Sequence, residues 1–165
     1  MTTQIHSGKL RNMASVYIRR NDQILLLYRQ GHSIVNNLWI GSAGGHFEKD
    51  EVNNAKSCVL RELYEELSLT DKSLKNLTLR YVTLRYTDNE IRQNYYFFAD
   101  LTDDTLDTPI SNEGITQWHS IHEMNHLPMP ITAKQMIEHY VSIGQYDDSL
   151  YAGISSDNRI HFFKL

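Results

Sequence analysis

Apolar positions along the chain follow two periods, and the switches between them mark the elements. Residues 13–18 are mostly strand formers, and Asn21-Asp22 offers a polar turn before the apolar run 23–28, which predicts a β-hairpin. Residues 31–37 read as loop, Leu38-Trp39-Ile40 as a short strand, and Gly41-Ser42-Ala43-Gly44-Gly45 as a glycine-bearing loop. From 52 to 67, Ala55, Val59, Leu60, Leu63 and Leu67 recur mostly at steps of three and four, predicting a helix with one apolar stripe. Residues 71–75 read as loop. Residues 77–86 and 91–101, rich in tyrosine, valine, leucine and phenylalanine around Thr87-Asp88-Asn89-Glu90, predict a second, longer hairpin. Residues 102–112 are acidic and contain Pro109, as a surface loop would. A strand over 115–120 and a helix over 131–143 follow, with Ile131, Met136, Ile137, Tyr140 and Val141 available to its inner face. A third hairpin is predicted from 150–154 and 160–165. Strands around at least two helices give an α/β layered fold with a mixed sheet.

Composition narrows the class. With 165 residues, 41% of them hydrophobic and 22% charged, the chain has the size and balance of one globular domain. The formal net charge of −4 argues against a nucleic-acid polymer as partner, since backbone binding is driven by lysine and arginine. A small nucleotide is not excluded by it. Cys58 is the only cysteine, so no intrachain disulfide forms, and it sits near the apolar stripe as a buried small hydrophobe would. Residues 1–13 hold no apolar run of signal-peptide type, and no apolar stretch approaches the roughly 20 residues a bilayer span needs. The simplest reading is a soluble cytoplasmic protein without a membrane partner, as a monomer or homodimer.

The segment that suggests chemistry is Arg61-Glu62-Leu63-Tyr64-Glu65-Glu66. On a helix, Glu62 lies three and four residues from Glu65 and Glu66, so the carboxylates crowd one face apart from the apolar stripe. Like charges so spaced destabilise a helix by about 0.2–0.5 kcal/mol per pair. Taken alone, such a cluster is a solvated face. The upstream Gly44-Gly45 changes the weighing, because it lets backbone pass close to another group. A hard cation such as Mg²⁺ takes oxygen ligands from a few carboxylates, waters and substrate phosphates. The eight histidines lack zinc-site spacing.

Gly45, then five residues, then Glu51, followed by a helix carrying Arg61-Glu62-Leu63-Tyr64-Glu65-Glu66-Leu67-Ser68-Leu69, resembles the Nudix box. The similarity extends through Asn94-Tyr95-Tyr96-Phe97-Phe98 and Glu113-Gly114 towards Trp118. The resemblance implies a single Nudix domain over 1–165, a three-layer α/β/α sandwich with its core over 13–144 and a less usual C-terminal hairpin over 149–165. It implies a Mg²⁺-dependent hydrolase, Mn²⁺ being an alternative cation, acting on a nucleoside diphosphate linked to a further group. By position, Glu62, Glu65, Glu66, Glu113 and the carbonyl of Gly44 would hold the metal, with one glutamate also serving as base. Arg61 would orient a glutamate through a charge-assisted bond.

Two positions depart from the pattern. Nine residues rather than seven separate Glu51 from Arg61, so either Glu51 is displaced or Glu48 takes over part of its role. Ser68 stands where a left-handed turn favours glycine. The first expectation for substrate is a MutT-like nucleoside triphosphate, ordinary or oxidised as in 8-oxo-dGTP, cut to monophosphate and pyrophosphate. Leu127-Pro128-Met129-Pro130 offers no asparagine to read a purine, so the base stays open. A nucleoside diphosphate sugar such as ADP-ribose is the alternative substrate, and a non-catalytic nucleotide-binding module the alternative class; the presence of all three box glutamates favours the enzyme. Trp118 is a candidate base-stacking residue, weighed against a core or rim position. Trp39 and the Tyr95-Tyr96-Phe97-Phe98 run are expected in the core.

Overall fold

The computed structural model describes residues 9–31, 36–103 and 105–165. The expected loops 31–37 and 102–112 fall partly outside these residues, as does most of segment 1–13. The strands are β1 (Lys9–Arg20), β2 (Gln23–Arg29), β3 (Leu38–Ile40), β4 (Ala43–His46), β5 (Leu74–Thr87), β6 (Glu90–Leu101), β7 (Ile115–Ser120), β8 (Tyr151–Ser156) and β9 (Arg159–Lys164). The helices are α1 (Ala55–Leu67) and α2 (Ile131–Ser142). Two of the three hairpins turn on an Asp-Asn pair with both residues left-handed: Asp88 and Asn89 at φ 52° and 59°, Asp157 and Asn158 at 50° and 64°. This is the backbone that matches strand twist, and these residue types tolerate it.

The strands run in the order β3-β2-β1-β6-β5-β8-β9, with β4 also paired to β1 and β7 to β2. β1–β6 and β5–β8 are parallel and the remaining pairs antiparallel, so the sheet is mixed as expected. Alternation along β1 divides the core. Ala14, Val16 and Ile18 point to α1 and meet Val59, Leu63 and Leu67, whereas Tyr17 points to the α2 side with Tyr96, Phe98, Met136, Ile137 and Tyr140. The result is the three-layer α/β/α arrangement. The C-terminal hairpin extends the sheet rather than standing apart, and buried Arg80 ties it down through the carbonyls of Gly144 (2.8 Å), Asp147 (2.7 Å) and Ser149 (3.0 Å). Among the described residues no helix is long and apolar enough to cross a membrane.

Two local features correct the expectations. The segment 41–45 is not simply loop: residues from Ala43 onward form β4, with Gly44 opposite Ser15 and Gly45 opposite Ala14 on β1. Glycine's weak strand propensity hid this, and the pairing to a central strand overrides it. Helix α1 begins at Ala55 rather than at residue 52, because Asn53 turns left-handed (φ 71°) and the Asn54 side chain caps the helix by accepting from Ser57 N–H. The two extra residues of the box are absorbed in that turn.

At the other end of α1, Ser68 adopts the left-handed conformation (φ 54°, ψ 26°) and its N–H closes on the Tyr64 carbonyl at 2.9 Å. A side chain there costs on the order of 1 kcal/mol that glycine does not incur. Ser68→Gly is expected to raise stability by about 0.5–1 kcal/mol, net of the greater freedom glycine has in the unfolded chain. The denaturant midpoint measures it; an unchanged or lower midpoint contradicts this account of the cap.

Candidate functional site

Four of the box elements converge where β4 passes under α1. A cleft of about 570 Å³ is lined by Gly44, Gly45, Arg61, Glu62, Glu65, Glu66, Asn112 and Glu113, with Arg29 from the end of β2. Every residue that the sequence nominated for metal or catalysis therefore faces one space. Trp118 does not. It packs on the α1-side core from β7, opposite Leu25, with the Arg20 guanidinium 4.1 Å above its ring. It lines neither the cleft nor the cavity on the α2 side of the sheet, which corrects its candidate role in substrate binding. Trp39 lies against the α2-side core in edge contact with His119 at 4.3 Å.

Arg61 organises the acidic face. Its guanidinium donates to both carboxylate oxygens of Glu51 (2.8 and 2.9 Å), to Glu62 (2.7 Å), to Glu65 (3.2 Å) and to the His46 carbonyl (3.0 Å). Glu51 is thus not displaced by the insertion: it is buried, and its own side chain also accepts from Glu48 N–H at 2.8 Å. Glu48 stands 3.9 Å from Arg61 with a mostly exposed side chain, so it does not replace Glu51. The Arg61 guanidinium holds the Glu51 carboxyl down to about 2, against its ordinary value of 4.5. With the folded value depressed, this pair stabilises the fold fully above about pH 4.5 and loses that effect as pH falls towards 2. Glu51→Gln should cost about 1.5–3 kcal/mol at pH 7. Its deficit against the natural chain should shrink between pH 4.5 and 2, as followed by denaturation midpoints; a deficit independent of pH would contradict the pairing.

Glu66 is the buried carboxylate of the set. Its side chain is 7% exposed and accepts from Gly44 N–H at 3.0 Å, while Arg29 lies 3.6 Å from its other oxygen. Burial, assisted by the charges of Glu62 and Glu113, pushes it up to about 7 despite the Gly44 bond and Arg29. Arg29 also donates to Glu113 at 2.8 Å. Sequence reasoning missed Arg29, whose one available signal was a cation ending an otherwise apolar strand. It also left the role of Glu51 open. Burial pushes the Cys58 thiol up to about 12, which makes it a buried hydrophobe and not a nucleophile.

The donor set suits a hard divalent cation: carboxylate oxygens outnumber its one imidazole, His46, there are more carboxylates than the two arginines neutralise, and one carboxylate is held against its own desolvation. As the side chains stand, Arg61 draws Glu62 and Glu65 and Arg29 draws Glu113, so among the described residues no three acidic groups meet at one point. Beside the cleft, and sharing Met13, Arg29, Gly44 and His46 with it, lies a cavity of about 350 Å³ on the α2 side of the sheet. Tyr17, Ile40, Tyr96, Pro130 and Ile131 give it an apolar wall.

The NUDIX domain family matches residues 9–140 of the chain. No curated protein sequence matches it. Among solved structures, the Mutator MutT protein from Bacillus halodurans is similar at 21% identity, over 93% of this chain and 97% of that one, with a TM-score of 0.62. The MutT protein from Methanosarcina mazei Go1 is similar at 19% identity over 84% and 98%, with a TM-score of 0.67. An Ap4A hydrolase from C. elegans is similar at 16% identity over 83% and 99%, with a TM-score of 0.64. At these identities the likeness establishes the shared fold.

Proposed function

The chain belongs to the NUDIX family, and on that premise we propose that it is a Mg²⁺-dependent hydrolase that cuts a phosphoanhydride bond in a nucleoside diphosphate derivative, first of all a nucleoside triphosphate. The observation that carries this reading is the convergence of Glu62, Glu65, Glu66 and Glu113 on one cleft whose backbone wall is Gly44-Gly45. Glu62, Glu65, Glu66 and Glu113, with the backbone of Gly44, would hold the cation. When bound, the cation would neutralise phosphate charge and orient or activate a water.

The chain's own groups divide the remaining work. Arg61, fixed bidentately by Glu51, holds Glu62 and Glu65 in place on the helix face. Gly44 N–H fixes Glu66. Arg29 positions Glu113 and presents positive charge at the mouth shared by cleft and cavity, where a phosphate chain would pass. The cavity is of a size that takes a nucleobase against its apolar wall and removes it from water.

The test incubates the protein with Mg²⁺ and ordinary and oxidised nucleoside triphosphates, ADP-ribose and diadenosine polyphosphates, following phosphate and pyrophosphate. Metal-dependent release of pyrophosphate from a triphosphate is the expected result. Absence of turnover on every compound, with nucleotide still bound, would overturn it in favour of a binding module.

A further inference from the structure

The sheet register puts three arginines side by side. Arg11 on β1 is the partner of Arg92 on β6, and Arg92 is in turn the partner of Arg85 on β5. Like charges directly opposite on neighbouring strands weaken a sheet, so such a row runs against stability. All three line the cavity beside the acidic cleft. Compensation is thin. Glu90 lies 3.7 Å from Arg11 and 3.4 Å from Arg92, and a largely exposed Asp88 lies 3.5 Å from Arg92. Arg85 has no ion pair or hydrogen bond among the described residues.

The row also has a definite place relative to the carboxylates. Gly44, which holds Glu66, is opposite Ser15 on β1. Arg11 lies four residues further along the same strand, about 13 Å at the rise of a strand. Nothing in the hydrolysis of a phosphoanhydride at α1 needs cations so far away.

Building on the proposed hydrolase reading of the α1 cleft, we infer that Arg11, Arg85 and Arg92 form an anion subsite of the substrate cavity, selecting nucleotides that carry a further phosphate group away from the bond that is cut. Guanidinium groups match phosphate oxygens in paired hydrogen bonds, and an incoming dianion relieves the repulsion within the row. The shared chemistry is a remote phosphate. Its source is either a phosphate on the ribose or the terminal phosphate of a longer 5′-polyphosphate chain.

Calorimetry with AMP and adenosine 3′,5′-bisphosphate, neither of which holds a phosphoanhydride, tests the first source. Relative turnover of adenosine 5′-tetraphosphate and ATP tests the second. The phosphate-rich member of one pair is expected to be preferred by about tenfold or more at moderate salt. Arg85→Gln and Arg92→Gln should each remove most of that preference, whereas Arg159→Gln on the exposed outer strand should keep it. Arg85→Gln should leave the thermal midpoint unchanged or raise it, since it relieves repulsion; a purely structural arginine would lower it. Nucleotide binding or turnover with no arginine-dependent preference in either pair overturns the subsite. If no nucleotide is bound or cut at all, the hydrolase reading itself falls.

Discussion

Glu66→Gln is expected to lower kcat by about 10³-fold while leaving the metal-free fold as stable as before, or more so. A carboxylate that contributes charge to the metal site or acts as base supplies on the order of 10²–10⁴ in rate. Glutamine keeps the shape and can still accept from Gly44 N–H, but it supplies neither the charge nor the base. The stability side follows from burial: only 7% of the Glu66 side chain is exposed, and desolvation is the largest influence on its carboxyl. Replacing a charge that burial disfavours by a neutral isostere removes that penalty. Added Mg²⁺ should raise the thermal midpoint of the natural chain and not that of the variant, because only the former holds the cation in its folded state. Full activity in Glu66→Gln, or a marked loss of metal-free stability, would contradict the role assigned to it.

The two neighbouring glycines should fail in different ways. A Cβ on Gly45 would run into the carboxylate of Glu62. The obstacle is the end of a flexible side chain, so Gly45→Ala should fold with little loss and push Glu62 out of the cleft. A displacement of about 1 Å at a reacting centre can cost 10²-fold, and the expected fall in kcat/KM is of that order. A Cβ on Gly44 would instead meet Ala14 O at 2.5 Å and Ser15 Cβ and Cα at 2.6 and 2.7 Å. Those atoms belong to the paired strand and cannot swing aside, so Gly44→Ala should lose about 1–3 kcal/mol of stability as well as activity. Paired measurements of denaturation midpoint and kcat/KM separate the two effects; equal destabilisation by both variants would contradict the geometry.

The parts of this design that repeat locally were legible in the residues. Polar turns at Asn21-Asp22 and Asp88-Asn89 between strand-forming runs marked the first two hairpins, and the four-residue recurrence of Val59, Leu63 and Leu67 marked α1. The acidic face emerged from the same spacing. What escaped depends on partners distant in sequence. β4 is a strand because β1 pairs with it, not because glycine favours strands. Arg29 joins the site only once β2 is laid beside the segment carrying Glu113, 84 residues later. The register that aligns Arg11, Arg92 and Arg85 involves a parallel pairing between strands far apart in the chain. Trp118 stayed open between stacking on a base and packing in the core, because aromatic type does not reveal which surroundings a residue occupies.

The most direct test of the account is a titration of the metal-free protein with Mn²⁺, read by the loss of its free-ion paramagnetic resonance signal. Saturable binding is expected, strengthened by a nucleotide and abolished or greatly weakened in Glu62→Gln and Glu66→Gln. Binding that is unaltered in both variants, or no binding even with nucleotide present, would contradict the assignment of the α1 carboxylates as the metal site.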